Sequence, residues 1–200
     1  PDGADSDSPA DWLRNDFDGE GLPGFVGTPE PGEALNTPAL PNEAVADDPP
    51  ATDWVINEIH ADPASDSDCA DFGLPDGCGD ANGDGTRDST DDEFVELVNA
   101  TGADQDISGW TLSDGFGLRH TFPAGTIVAA DCAVVLFGGG APAGDFGGVV
   151  VQTASTGALG LNNSGDTVLL ADAGGATVAE VVYGAEGGDN QSLTLDPDID

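Results

Sequence analysis

Residues 92–114 read DEFVELVNATGADQDISGWTLSD, and they are the clearest guide to the fold of this 200-residue chain. The first part alternates apolar and polar residues as a half-buried strand does. Phe94, Glu96 and Val98 fall on one side of this strand, and Val95 and Leu97 on the other. Turn residues follow, and then a second β-type run begins at Ile107. This pattern is typical of a sheet built from short strands.

Similar runs recur on both sides of this stretch at the spacing of a β-sandwich. No segment shows a sustained 3.6-residue apolar period with helix caps. We therefore predict an all-β protein, an immunoglobulin-like sandwich of two sheets. The predicted strands cover residues 53–60, 92–99, 107–114, 119–128, 132–139, 166–172 and 176–184.

The chain divides into a Pro- and Asp-rich segment, residues 1–50, and a β-rich domain, residues 51–200, with an insertion at 61–91. The first segment has too few apolar residues for its own core, so we expect an extended N-terminal arm. It is either a linker or an arm that docks on a neighbouring copy by strand addition. The anchors for docking would be Trp12, Leu13, Phe17, Phe25 and Val26.

The charge is strongly one-sided, with 39 Asp and Glu, three Arg and a net charge of −36. Nucleic acid is excluded as a partner, because phosphate contacts require Lys or Arg. An anionic membrane surface is excluded for the same reason, and no apolar run has the length of a transmembrane helix. So much self-repulsion calls for cations, either a diffuse salt atmosphere or ions held at particular sites.

The three cysteines bear on whether the protein is exported to an oxidising compartment. Cys69 and Cys78 are separated by eight residues in a loop and could close a small disulfide ring, which would suit an exported protein. We expect Cys132 to be a buried small apolar residue. The chain begins at Pro1 without an apolar leader, so we expect that a secretion signal has been removed or was never included. The predicted location is extracellular or at the cell surface.

The insertion contains a calcium-loop pattern, GDANGDGTRDSTDD, at residues 79–92. Oxygen donors fill every ligand position of the template D-x-[DN]-x-[DN]-G-x5-E, and Gly85 stands where such a loop turns sharply. A set of oxygen ligands alone selects Ca²⁺ over zinc or copper. The predicted ligands are Asp80, Asn82, Asp84, the carbonyl of Thr86, Asp88 and Asp91.

The last ligand position departs from the template, because Asp91 replaces the bidentate Glu. We therefore expect weak affinity, with a Kd of roughly 10⁻⁴–10⁻³ M, and help from Asp92 or Glu93. The competing interpretation is an acidic loop that only faces solvent. A second acidic group in the insertion is either another ion site or a plain solvated loop, and it comprises Asp62, Asp66, Asp68, Asp71 and Asp76.

Six phrases of the β-rich domain resemble the lamin tail domain, in its bacterial secreted form. They include VINEIHADP (55–63), DEFVELVNATG (92–102) and DISGWTLSD (106–114), followed by residues 120–140, 159–184 and 189–199. The resemblance implies an immunoglobulin-like sandwich with Trp110 packed into its core. It also implies a non-catalytic module of a secreted or surface protein, in which a GDANGDG insertion is common.

We predict no enzymatic activity. His60 and His120 lie in sequence segments that the predicted fold explains, and no nucleophile has a partner base nearby in the sequence. The predicted function is an extracellular calcium-binding structural subunit that forms a homopolymer through its arm. The alternative is a calcium-dependent accessory module that binds polysaccharide, which would require exposed aromatic residues that are scarce here.

Overall fold

The computed structural model describes residues 54–195, so the predicted arm at residues 1–50 lies outside the described residues. The described part contains eleven strands and one short α-helix. The strands are β1 (Trp54–His60), β2 (Phe94–Asn99), β3 (Gln105–Asp106), β4 (Thr111–Asp114), β5 (Gly117–Thr121), β6 (Ile127–Val128), β7 (Ala133–Phe137), β8 (Val150–Thr153), β9 (Asp166–Ala171), β10 (Thr177–Tyr183) and β11 (Leu193–Thr194). Helix α1 (Asp66–Asp71) lies in the insertion, and a 3₁₀ turn covers Ala185–Gly188.

Two sheets form the predicted sandwich. One has the strand order β11-β1-β2-β7-β8, in which only β7 and β8 run parallel, and the other has the order β10-β9-β4-β5. The strands β3 and β6 form a separate two-stranded ribbon. The immunoglobulin-like all-β fold predicted from the sequence is confirmed.

The core lies between the sheets and takes apolar residues from both. Val95 and Leu97 of β2 are fully buried, as the alternation in that strand predicted, and Val98 is buried as well. In β1 the register shifts between Ile56 and Glu58, which allows Ile56 and Ile59 to face the same core despite their odd spacing. Trp110 is partly buried against the core and contacts Trp54 edge-on, with ring centroids 5.5 Å apart.

The cysteines follow the prediction in part. Cys69 and Cys78 form a disulfide that closes the first half of the insertion. The expectation for Cys132 was wrong, because its side chain is exposed in the turn before β7. The preceding residue, Asp131, has a φ of 56°, and this tight turn keeps Cys132 out of the sandwich. No helix among residues 54–195 is long and apolar enough to cross a membrane.

Candidate metal site

The loop at residues 79–93 leads from the disulfide-closed half of the insertion into β2. Four hydrogen bonds from backbone N–H groups to side-chain oxygens hold the loop in its conformation. The N–H of Gly85 donates to Asp80 Oδ2 (2.9 Å), and the N–H of Asp84 donates to Asn82 Oδ1 (2.9 Å). The N–H of Thr86 donates to Asp84 Oδ1 (2.9 Å), and the N–H of Thr90 donates to Asp88 Oδ1 (2.8 Å). Four of the six predicted ligands therefore brace the same loop.

Gly85 occupies the predicted sharp turn. Its φ is +92°, a conformation that residues with a Cβ rarely adopt, and open space surrounds the position where a Cβ would stand. The requirement for glycine at this position is therefore conformational. This matches the role that the calcium-loop template gives to its sixth residue.

Asp92 ties the two halves of the loop together. Its side chain is fully buried, and its two oxygens accept the N–H groups of Asn82 (3.0 Å) and Asp88 (2.7 Å). Burial raises the pKa of Asp92, these two hydrogen bonds oppose that effect, and the charges of Asp80 and Asp84 add to it. Because both oxygens are used inside the loop, Asp92 acts as a brace for the predicted ligands.

Three consecutive glycines after β7 form the platform on which the loop rests. A Cβ at Gly138 would lie 1.8 Å from the carbonyl oxygen of Thr90, and one at Gly139 would lie 2.2 Å from Asp91 Oδ1. A Cβ at Gly140 would lie 2.5 Å from Asn82 Nδ2 and 2.6 Å from Asp84 Oδ2. The loop and this platform therefore pack backbone to side chain, without room for a methyl group.

Two hydrogen bonds from backbone N–H groups complete the contact between loop and platform. The N–H of Ala141 donates to Asp84 Oδ2 (3.1 Å), and the N–H of Ala143 donates to the carbonyl of Asn82 (2.9 Å). The sequence analysis missed this platform. The run GGG at residues 138–140 was the available signal, because consecutive glycines often mark a close approach of another chain segment.

One oxygen of the loop has no partner. Asp80 Oδ1 is buried and accepts no hydrogen bond among the described residues. A buried carboxylate oxygen without a donor is costly, and a cation would satisfy it. This orphaned oxygen, the braced turns and the glycine platform fit a small oxygen-coordinated ion.

The carboxylates do not converge fully. Among residues 54–195, no three His, Cys, Asp or Glu side chains lie close enough together to hold a metal ion. Two of the six predicted donors, the amide of Asn82 and the carbonyl of Thr86, are not carboxylates. The Asp91 carboxylate lies against Gly139, and Asp88 lies at the exposed end of the loop. The structure thus brings the side chains of Asn82 and Asp84 together beside Gly140.

Glu93, expected to assist at the ion, faces a different part of the fold. Its Oε2 accepts the N–H groups of Gly160 (2.7 Å) and Leu161 (3.3 Å). Burial raises the pKa of Glu93 to about 7, although those bonds and the nearby Arg119 favour the ionised form. Glu93 therefore fixes the loop before β9 and contributes nothing to the candidate metal site.

The second acidic group is spread over separate structural roles. Asp68 caps α1 in a reciprocal capping box with Ser65, and Asp66 Oδ1 accepts the N–H of Gly77 (2.9 Å). Asp62 Oδ1 accepts from Asn163 Nδ2 (2.6 Å). Asp71 and Asp76 are exposed. These assignments favour the solvated-loop interpretation.

The base of the insertion is closed by Arg87. Its Nε donates to the carbonyl of Ala64 (3.0 Å), and its Nη2 donates to the carbonyl of Pro63. Gly79 lies so close to Ala64 that a Cβ would stand 2.0 Å from the carbonyl oxygen of Ala64. These contacts join the candidate metal loop, residues 79–93, to the disulfide-closed half of the insertion.

The two histidines occupy buried positions in the fold. His120 is 3% exposed, its Nε2 pairs with Gln152 Oε1 (2.9 Å), and its Nδ1 accepts the N–H of Ser155 (3.1 Å). Burial lowers the pKa of His120 and of His60. The hydrogen bonds of His120 join β5 to β8 and to the segment that follows β8.

Comparison with known families identifies the domain. The family model of the Lamin Tail Domain matches residues 48–185. A comparison with curated proteins gives no match.

Proposed function

The chain belongs to the lamin tail domain family, and we propose that it is a calcium-binding structural protein of the bacterial secreted type. It works at the cell surface or outside the cell, as a subunit of a filament or matrix. The family match supports a structural role, because the lamin tail domain is a non-catalytic structural fold. We extend this to the whole chain and propose that it has no enzymatic activity.

Calcium binding rests on one observation, the buried and unpartnered Oδ1 of Asp80 within a loop braced like a calcium site. Asp80, Asn82 and Asp84 would hold the ion, with the carbonyl of Thr86 and the carboxylates of Asp88 and Asp91 closing around it. Bound calcium supplies positive charge where several carboxylates repel one another. The loop's own residues position the donors and fasten the insertion to the glycine platform.

Thermal unfolding with and without a chelator tests calcium binding. In about 10 mM calcium and with a Kd of about 10⁻⁴–10⁻³ M, the ion should add about 1.4–2.7 kcal/mol to the free energy of unfolding. The Tm should therefore rise by about 3–10 °C. Asp80→Asn, which keeps the acceptor for Gly85, should lose more than half of this rise.

Asp172→Asn is the matched control for Asp80→Asn. Asp172 also accepts backbone N–H groups in a turn, from Gly174 (2.8 Å) and Ala176 (2.9 Å), but it lies between β9 and β10, outside the metal loop. The Asp172→Asn variant should keep the full calcium-dependent rise in Tm. A Tm that is the same with calcium and with chelator would refute the calcium proposal.

The homopolymer proposal rests on the composition of residues 1–50 and on the apolar residues within them. In this proposal the arm of one copy docks on the next copy. Such a head-to-tail contact does not close on itself, and so it produces a filament. Light scattering of the full chain and of a chain lacking residues 1–50 tests it. Equal assembly of the two chains would refute the role of the arm.

The polysaccharide-binding alternative has less support. Trp54 is 4% exposed and packs against Trp110, so neither ring is a free platform for a sugar. Nucleic acid is also disfavoured, because Arg87 and Arg119 both bond to groups of their own domain. The structural role therefore remains the proposal that the described residues support best.

A further inference from the structure

A cavity of about 340 Å³ lies between the disulfide-closed half of the insertion and the segment that precedes β11. Its lining includes His60 at the end of β1, Phe72 and Leu74 after α1, Cys78 of the disulfide, and Gln191. The disulfide limits the freedom of the Phe72–Leu74 turn, so the opening is held in shape. The cavity is separate from the metal loop's ligands.

The rim of this cavity exposes apolar surface. Phe72 is 52% exposed and Leu74 is 51% exposed, although both are large apolar side chains that normally pack inside a domain. Two such side chains beside a cavity form a contiguous apolar patch, which is typical of an interaction site. An occupant of the cavity would bury both of them.

His60 is one of the polar residues that line the cavity. His60 is 8% exposed, and its Nδ1 is buried without a hydrogen-bond partner among the described residues. Burial lowers the pKa of His60. The hydrogen bond with the Gln191 backbone and the charge of Asp62 raise the pKa, but their effect is smaller. The neutral ring carries one acceptor nitrogen and one donor nitrogen. Because Phe72 and Leu74 form the exposed rim, the occupant should be an aromatic or apolar group.

We propose that the cavity receives Trp12 of a second copy of this chain. The indole of Trp combines a large apolar surface with an N–H donor that needs a partner when it is buried. The cavity of about 340 Å³ is large enough for an indole ring. Leu13, the next residue in the sequence, would lie on the apolar rim formed by Phe72 and Leu74.

The segment around Trp12 carries one cationic side chain, Arg14, among the acidic residues Asp11, Asp16 and Asp18. The chain has only three cationic side chains, and two of them, Arg87 and Arg119, bond within the described domain. The third, Arg14, follows Trp12 by two residues. The cavity-lining residues are flanked in the chain by exposed carboxylates, Asp71, Asp76 and Asp189, for which no ion pair is present among residues 54–195. In the proposed contact, Arg14 would offset part of the repulsion between the acidic arm and these carboxylates.

The length of chain outside the structure makes this contact possible between copies. Trp12 precedes the first described residue, Trp54, by 42 positions, which at full extension span at most about 150 Å. This inference rests on the proposed function, in which the arm joins neighbouring copies. It adds the receiving site and the residue that enters it.

Disulfide trapping between two full-length chains tests the contact. Both chains carry Cys132→Ser, one also carries Asp11→Cys, which leaves the neighbouring Trp12 in place, and the other also carries Gln191→Cys. After mixing in calcium and mild oxidation, a covalent dimer should appear on a non-reducing gel. In the control, the second chain carries Phe116→Cys instead, at a 78% exposed site in the turn between β4 and β5, and no dimer should form.

The outcomes separate the two proposals. A dimer with Gln191→Cys and none with Phe116→Cys supports the cavity as the receiving site. Assembly that depends on residues 1–50, with no trapping at Gln191, overturns the site and leaves the proposed function standing. Assembly that does not need residues 1–50 overturns the arm's role and the site together.

Point variants of the full chain provide a second measurement. Trp12→Ala and Leu74→Asp should each weaken assembly by about tenfold or more, as expected for the centre of an interface. Phe116→Asp should leave assembly unchanged. Leu74 is half exposed, so Leu74→Asp should retain the wild-type Tm, and that measurement excludes unfolding as the cause. Unchanged assembly in both Trp12→Ala and Leu74→Asp would overturn the inference.

Discussion

Single residues determine how the candidate metal loop sits on the sandwich. At Gly138, Gly139 and Gly140 the missing side chains let the loop approach the end of β7 within van der Waals distance. Asp92 then uses both carboxylate oxygens to hold the loop closed from inside. Contacts with the fold thus hold the loop in shape, which reduces the conformational entropy that ion binding must overcome.

Gly140→Ala tests this contact between the loop and its platform. The new methyl group would overlap Asn82 and Asp84, so we expect the free energy of unfolding to fall by about 1–3 kcal/mol beyond the strain of a positive φ. Gly125→Ala is the matched control, because its φ of +85° is similar and its surroundings are open. Chemical denaturation of both variants measures the difference. Equal losses in the two variants would contradict the proposed packing.

At the scale of elements, strand patterns in the sequence identified most of the sandwich. The alternation in residues 92–99 and the short β-type runs correspond to β1, β2, β4, β5, β7, β9 and β10. The sequence could not reveal β8, because its four residues are only half buried and pair in parallel with β7 through a long crossover. The predicted run 119–128 was too long, because Pro123 and the turn after it separate β5 from β6.

The candidate site shows the same division between local and tertiary information. Residue spacing located the loop and the sharp turn at Gly85, because those features depend on neighbours in the sequence. The glycine platform depends on contacts between residues about 50 positions apart, which spacing does not encode. The direction of Glu93 was missed for that reason, since its partners are Gly160 and Leu161.

The edge strands of the two sheets are joined by His120. It lies on β5 of one sheet and bonds to Gln152 on β8 of the other. Its Nδ1 accepts the N–H of Ser155, so protonation at that nitrogen would place two donors face to face. The lowered pKa of His120 agrees with a ring that is neutral in the folded protein.

A pH dependence follows from the lowered pKa of His120. Above pH 6.5 the ring is neutral in both folded and unfolded chains, and it contributes no pH dependence. Below 6.5 the unfolded chain binds the proton more readily, so stability falls by up to about 1.4 kcal/mol per pH unit until the folded pKa is reached. His120→Asn should remove the contribution of His120 to the loss of folding stability between pH 7 and 5.

Denaturant unfolding of wild type and His120→Asn across this pH range measures the effect. His60, whose pKa is also lowered, acts in the same direction, and Glu93, whose pKa is raised to about 7, acts in the opposite one. Both groups are present in the two proteins, so their contributions cancel in the difference. Parallel pH profiles would contradict the assigned state of His120.

At the scale of the whole molecule, charge is the dominant property. A net charge of −36 on 200 residues opposes compaction, and the described domain contains only two cationic side chains. A divalent ion in the 80–91 loop would neutralise part of this negative charge. The same acidity would limit association between copies in the absence of cations, so the proposed assembly and the proposed metal site are linked.

Anomalous diffraction from crystals of the full chain grown in calcium tests the central claim most directly. We predict an anomalous peak within about 2.3–2.6 Å of the carboxylate of Asp80, shared with donors from Asn82 and Asp84. The peak should vanish in Asp80→Asn crystals and persist in Asp172→Asn crystals. An ordered loop with no anomalous peak in calcium-grown wild-type crystals would contradict the account.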